Sequence, residues 1–142
     1  MPTYETSISI AAPRDAVWLV LSDVAGWPEW LPTVTSVQPL DGTVLNIGHR
    51  YVIRQPRLRP VTWHITELEH PRRFVWRARS PGLQMCAEHI VDEDPPGISN
   101  VVLRFSFAGL LGGLLGRLFR PLTESYLAKE AASLKQKVEA SL

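Results

Sequence analysis

The sequence predicts an α+β fold in which a strongly curved antiparallel sheet wraps a long C-terminal helix. Three observations carry this: strand-like alternation over residues 3–10, short period-two segments separated by turn residues from 33 to 108, and helical spacing thereafter.

Tyr4, Thr6, Ile8 and Ile10 alternate with Glu5, Ser7 and Ser9, as in a half-buried strand. Pro13 then suits the first position of a helix, where its missing N–H has no intrahelical partner to lose, and Asp15 places a negative charge in the first turn. Val17, Val20 and Leu21 give that helix one apolar stripe. A second helical turn is expected to start at Pro28 and stop at Pro32. Strands are expected near 33–40, 48–55, 61–69, 73–79, 83–92 and 99–108, divided by turn chemistry such as Asp41-Gly42, His70-Pro71 and Ser80-Pro81-Gly82. Leu127, Ala131, Leu134 and Val138 recur at helical spacing and define the long last helix. Leu111, Leu115, Leu118 and Leu122 form an earlier stripe on a different bearing, and Pro121 predicts a kink or break between the two.

Period two also assigns strand faces. Tyr51 and Ile53, Val61, Trp63 and Ile65, Phe74, Trp76 and Ala78, Met85, Ala87, His89 and Val91, and Val101, Leu103, Phe105 and Phe107 share the face turned to the helix. One helix across a highly curved sheet need not fill the concavity, so these side chains either line an apolar cavity of about 300 Å³ or more or simply pack as core. Arg73, Arg77 and Arg79 alternate with apolar residues and read as the wet face of a strand, not as a nucleic-acid patch.

Composition narrows the chemistry. The 142 residues carry a formal net charge of +1, 45% hydrophobic and 20% charged residues, which suits one ordinary globular domain and no nucleic-acid partner. Lone Cys86 excludes an intrachain disulfide, and with no basic, apolar leader in view a cytoplasmic location is expected. No apolar stretch approaches the ~20 residues of a membrane-spanning helix, so no stable membrane insertion is expected. His49, His64, His70 and His89 lack ligand-like spacing, there is no Gly-x-Ser-x-Gly elbow, and Gly112, Gly113 and Gly116 match neither phosphate-loop pattern. No metal and no cofactor are expected. The glycines point instead to close helix packing or a mobile gate.

Ile8-x-Ile10-x-Ala12-Pro13-x-x-x-Val17-Trp18-x-x-Leu21-x-Asp23, followed by Trp27-Pro28-x-Trp30-x-Pro32, resembles the opening of polyketide cyclase/dehydrase-type members of the START-like superfamily. Gly42, Gly48, Glu88-His89 and Phe107-Ala108-Gly109-Leu110-Leu111 continue the likeness, which spans residues 1–142 as one START-like ligand-binding domain. The resemblance implies a helix-grip fold: a seven-stranded curved antiparallel sheet around the C-terminal helix, with two short helices between strands 1 and 2. It also implies a hydrophobic ligand such as a lipid, polyketide or aromatic compound, and for some members cyclisation chemistry.

Binding of a hydrophobic small molecule is the first functional expectation. The contacts expected are Trp30, Tyr51, Ile53, Trp63, Ile65, Phe74, Trp76, Met85, His89, Leu103, Phe105, Leu118, Leu122 and Tyr126. The alternative is a cyclase/dehydratase in which His89 and Tyr51 or Tyr126 handle protons. His89 has an equally simple role as a core histidine satisfied by a neighbouring polar group. A third reading is an interaction module whose apolar face around Leu110 to Phe119 docks a partner or a membrane surface. A monomer or weak homodimer is expected.

Overall fold

The computed structural model describes residues 1–142. Its strands are β1 (Thr3–Ile10), β2 (Ser36–Pro39), β3 (Arg50–Arg54), β4 (Val61–Glu69), β5 (Arg73–Ser80), β6 (Leu83–Glu93) and β7 (Ser99–Ala108). They form one antiparallel sheet in the order β1-β7-β6-β5-β4-β3-β2, a meander with β1 added beyond β7. Helix α1 (Arg14–Ser22) and a 3-10 turn (Val24–Glu29) lie between β1 and β2, while α2 (Gly112–Leu118) and α3 (Arg120–Ala140) follow β7. Helix α3 packs across β1 and β7 with α1 beside it, which is the helix-grip arrangement.

Alternation explains the layers. In β5, Phe74, Trp76 and Ala78 are buried, while Arg77 and Arg79 are exposed on the other face. There Arg73 pairs with Glu67 at 2.9 Å and Glu88 at 3.2 Å, and Arg104 pairs with Glu5 at 2.7 Å and Glu88 at 3.1 Å. The arginines are thus the wet face of the sheet, and such ion pairs each contribute at most about 1 kcal/mol. From α3, Leu127, Ala131, Leu134 and Val138 complete the core. One irregularity escapes the period-two reading. The β4–β5 register slips between Ile65 and Glu67, so Thr66 is an extra residue and Leu68, not Glu67, returns to the inner side opposite Phe74.

Several boundaries move. Pro13 is the residue preceding α1, not its first, and Pro28 lies inside the 3-10 turn instead of starting one. The turn begins earlier because buried Val24 and Trp27 anchor it, with Trp27 Nε1 donating to the Leu21 carbonyl at 3.0 Å. Strands β2 and β3 are shorter than expected, since Thr33 and Val34 already turn into the core and Gly48 takes a positive φ of 87°. Pro121 gives a break, not a kink: it sits in the first turn of α3, where its missing N–H is tolerated.

Glycine decides how α2 sits. Gly109 has φ 92°, and a Cβ there would lie 2.6 Å from the Gly82 carbonyl oxygen. A Cβ at Gly116 would meet Pro2 at 2.8 Å, and Tyr4 donates its hydroxyl to the Gly116 carbonyl at 2.8 Å. The helix therefore presses its small residues onto the sheet and turns Leu114 and Leu118 outward, 68% and 66% exposed, while Leu110 in the turn before it is 98% exposed.

Core and surface leucines should separate cleanly in urea denaturation. Leu134→Ala, at a fully buried position, is expected to lose about 2–5 kcal/mol. Leu114→Ala is expected to stay within about 0.5 kcal/mol of the parent.

Candidate functional site

Between α3 and the concave side of the sheet runs a narrow space with two lobes that share Gln55, Phe105, Tyr126, Leu127 and Glu130. The inner lobe, about 60 Å³, ends against Trp27, Trp63, Trp76 and His89. The outer lobe, about 130 Å³, is bounded by Leu58, Phe119 and Leu122. The open cavity of about 300 Å³ or more expected from the strand faces is absent, because rings fill it. Trp63 stacks on Trp76 at 5.6 Å, and Trp76 meets Trp27 at 5.3 Å and Phe74 at 5.5 Å. Larger hollows, about 790 and 340 Å³, involve outer-face side chains of the sheet such as Arg77 and Arg79.

His89, carried inward by β6, is only 3% exposed. Its ring stacks on Phe74 at 4.0 Å and meets the edge of Trp76 at 5.4 Å. Nδ1 lies 3.3 Å from the Phe74 carbonyl oxygen, and since a carbonyl only accepts, Nδ1 carries the proton and Nε2 the lone pair. Burial pushes the His89 pKa down to about 3, against the opposing pull of that carbonyl.

Opposite Nε2, at 3.8 Å, is Oε1 of Glu130 on α3, a buried oxygen with no hydrogen-bond partner. Burial raises the Glu130 pKa to about 7. Near neutrality the two groups are a neutral imidazole and a carboxyl that is partly protonated, not an ion pair. Their separation exceeds a hydrogen bond, yet one polar atom could sit about 2.8 Å from both. The inner end of an apolar slot thus offers an acceptor nitrogen beside an acid that both donates and accepts.

Of the residues singled out in the sequence, Ile53, Trp63, Trp76, His89, Leu103, Phe105 and Tyr126 border the inner lobe, and Leu122 the outer. Trp30, Tyr51, Ile65, Phe74, Met85 and Leu118 do not border either. Tyr51 and Phe74 are buried behind Trp76, and Leu118 points away from the sheet. Neither tyrosine hydroxyl has a hydrogen bond to His89. The Tyr51 hydroxyl is buried without a partner, and desolvation raises its pKa. The Tyr126 hydroxyl is committed to the Pro56 carbonyl at 2.8 Å, tying α3 to the β3–β4 loop. Sequence reasoning missed Glu130 and left Trp27 at the rim. The signal for Glu130 was present: it lies three residues after Leu127 and four before Leu134, a charged residue on the buried stripe.

A family model described as polyketide cyclase/dehydrase and lipid transport matches residues 1–139. The chain belongs to this family. Among proteins of curated function, none matches the sequence. Solved structures with the same fold include an aromatase/cyclase from a Streptomyces species, 19% identical, TM-score 0.79, covering 96% of this chain and 93% of that one. Norcoclaurine synthase from Thalictrum flavum, in complex with dopamine and hydroxybenzaldehyde, is 14% identical with a TM-score of 0.77, covering 97% and 86%. A START superfamily protein from Mycobacterium smegmatis is 14% identical with a TM-score of 0.73, covering 99% of each chain. At these identities the likeness is one of fold.

The buried pair gives opposed pH dependences. Glu130 has a raised folded pKa, so its contribution to stability is lost as pH rises from about 4.5 through about 7. His89 has a depressed one, so stability is gained as pH rises from about 3 to 6.5. Glu130→Gln removes only the first. Its stability relative to the parent should improve by about 2–3 kcal/mol between pH 4.5 and 8 in urea titrations. A pH-independent difference would mean that Glu130 titrates as an ordinary carboxylate.

Proposed function

We propose that this protein binds a small, largely apolar molecule carrying one carbonyl or hydroxyl group. The ligand's body occupies the outer lobe among Leu58, Phe105, Phe119 and Leu122, and its polar end lies between Glu130 and His89. The observation that carries the reading is the buried Glu130 oxygen without a partner, at the inner end of a slot lined mainly by apolar side chains. A buried unsatisfied acid is costly, and a ligand oxygen or hydroxyl would satisfy it. The narrow lobes favour a slender or planar aromatic molecule over a bulky lipid. A neighbour of the same fold, norcoclaurine synthase, has a structure in complex with dopamine and hydroxybenzaldehyde, both small aromatic molecules.

One observation favours a second reading, acid–base catalysis. Two proton-active groups converge at the inner end, and a carboxyl titrating near neutrality beside a neutral imidazole is suited to exchanging protons with a bound carbonyl compound. In that case the activity would lie with His89 and Glu130, not with Tyr51 or Tyr126.

Mass spectrometry of organic extracts from native protein, paired with quenching of tryptophan emission by small phenols and aromatic aldehydes, tests the binding reading. Trp27, Trp63 and Trp76 line the inner lobe, so saturable quenching is expected. His89→Leu should weaken that binding by roughly tenfold, the loss of about one hydrogen bond, with the fold retained. Unchanged affinity in His89→Leu and in Glu130→Gln would assign both residues to the core alone. Retained binding with turnover reduced ~10²–10⁴-fold would support catalysis.

A further inference from the structure

Strand directions bring four stretches to the same end of the molecule: residues 1–4, 54–62, 78–84 and 106–122. The strand pairings place Thr3 beside Ser106 and Gln84 beside Ala108, and the Leu111 N–H bonds to the Gly82 carbonyl. The β3–β4 loop joins this end through Leu58, which shares the outer lobe with Phe119 and Leu122. These stretches contain no Asp or Glu. Their charged side chains are Arg54, Arg57, Arg59, Arg79, Arg117 and Arg120. With an overall formal charge of only +1, the remainder of the chain is net negative. Acidic Glu69, Asp92, Glu93 and Asp94 lie at the opposite end of the same strands. Of the six arginines only Arg120 has a carboxylate partner, Glu124.

The same end carries the leucines of α2. Gly112 and Gly116 face Phe107 and Pro2, and at 100° per residue Leu114 and Leu118 fall on the opposite side of the helix, with Leu110 exposed in the turn that leads into it. All three are more than 60% exposed, with Leu111 and Phe119 also exposed beside them. A surface helix of a water-soluble protein ordinarily reverses this pattern, with its large apolar side chains on the inside. Apolar side chains projecting from a rim of unpaired arginines are the two ingredients of attachment to an anionic bilayer surface: burial among the acyl chains and attraction to the headgroups.

We propose that this end of the molecule docks on anionic membrane surfaces, with Leu110, Leu114 and Leu118 entering the interface and Arg57, Arg59 and Arg117 facing the headgroups. An acidic protein surface would complement the arginines but gives no reason for the row of outward leucines. A second copy would bring arginine against arginine. The outer lobe is bounded by Leu58 and Phe119, so docking would also set the slot beside the bilayer. The proposal stands independently of which molecule the slot holds.

Co-sedimentation of the full chain with vesicles tests it. Binding is expected to equimolar phosphatidylserine and phosphatidylcholine, with little to phosphatidylcholine alone, and it should weaken with added salt. Leu114→Ser/Leu118→Ser and Arg59→Gln/Arg117→Gln alter exposed positions, and circular dichroism should show both variants folded. Each should lower partitioning by about tenfold or more, from removed apolar area or from two lost cations. Absent vesicle binding would overturn the proposal, as would binding that needs the arginines but not the leucines. So would a concentration-dependent dimer, seen by sedimentation velocity, that the leucine variant abolishes without any vesicle binding by the parent.

Discussion

Desolvation where α3 crosses the inner face of the sheet governs the chemistry of the interior, because His89 and Glu130 meet there with no cation close enough to hold a charge. Each group alone would cost less if neutral, and the surroundings supply what neutral groups need. The Phe74 carbonyl accepts from Nδ1, while the Phe74 ring stacks on the imidazole and Trp76 meets it edge-on. The carboxyl lacks an equivalent partner. That asymmetry makes the inner lobe chemically distinct from an apolar core.

The same rings that neutralise His89 set the size of the space beside it. A sheet curved tightly enough to grip one helix leaves a concavity, and here Trp27, Trp63, Trp76 and Phe74 occupy most of it in edge-on and stacked contacts. Such contacts are favourable beyond their buried area, by about 0.5–1.5 kcal/mol per pair, so they resist displacement by a ligand. The space left follows α3 toward the β3–β4 loop, where Tyr126 and Leu58 hold the loop against the helix. Recognition therefore depends on a narrow apolar passage with one polar end.

Polarity along the strands divides the outside of the molecule. The middle of the outer sheet face is neutralised by the Arg73, Arg104, Glu67 and Glu88 network, which leaves little net field there. The end bearing α2 has unpaired cations and outward leucines, while the far end collects carboxylates. Close glycine packing makes this possible: α2 approaches Phe107 and Pro2 through Gly112 and Gly116, which leaves Leu114 and Leu118 free to project outward.

Much of the architecture was legible along the chain. Alternation in β1, β5, β6 and β7 and the spacing of Leu127, Ala131, Leu134 and Val138 determine strand faces and the helix seam, since period and burial are local consequences of backbone geometry. Inward placement of His89 followed from the same rule. The bulge at Thr66 did not, because an extra residue is visible only against its partner strand. Glu130 falls on the buried stripe of α3, but only tertiary structure brings that stripe to His89, so its partner could not be read from the chain. The fill of the cavity was likewise open, since residues that pack a core and residues that line a pocket are the same types. Sequence by itself determined the layers and their faces. Tertiary structure decided which buried groups meet and how much space remains, because both depend on distances between elements far apart in the chain.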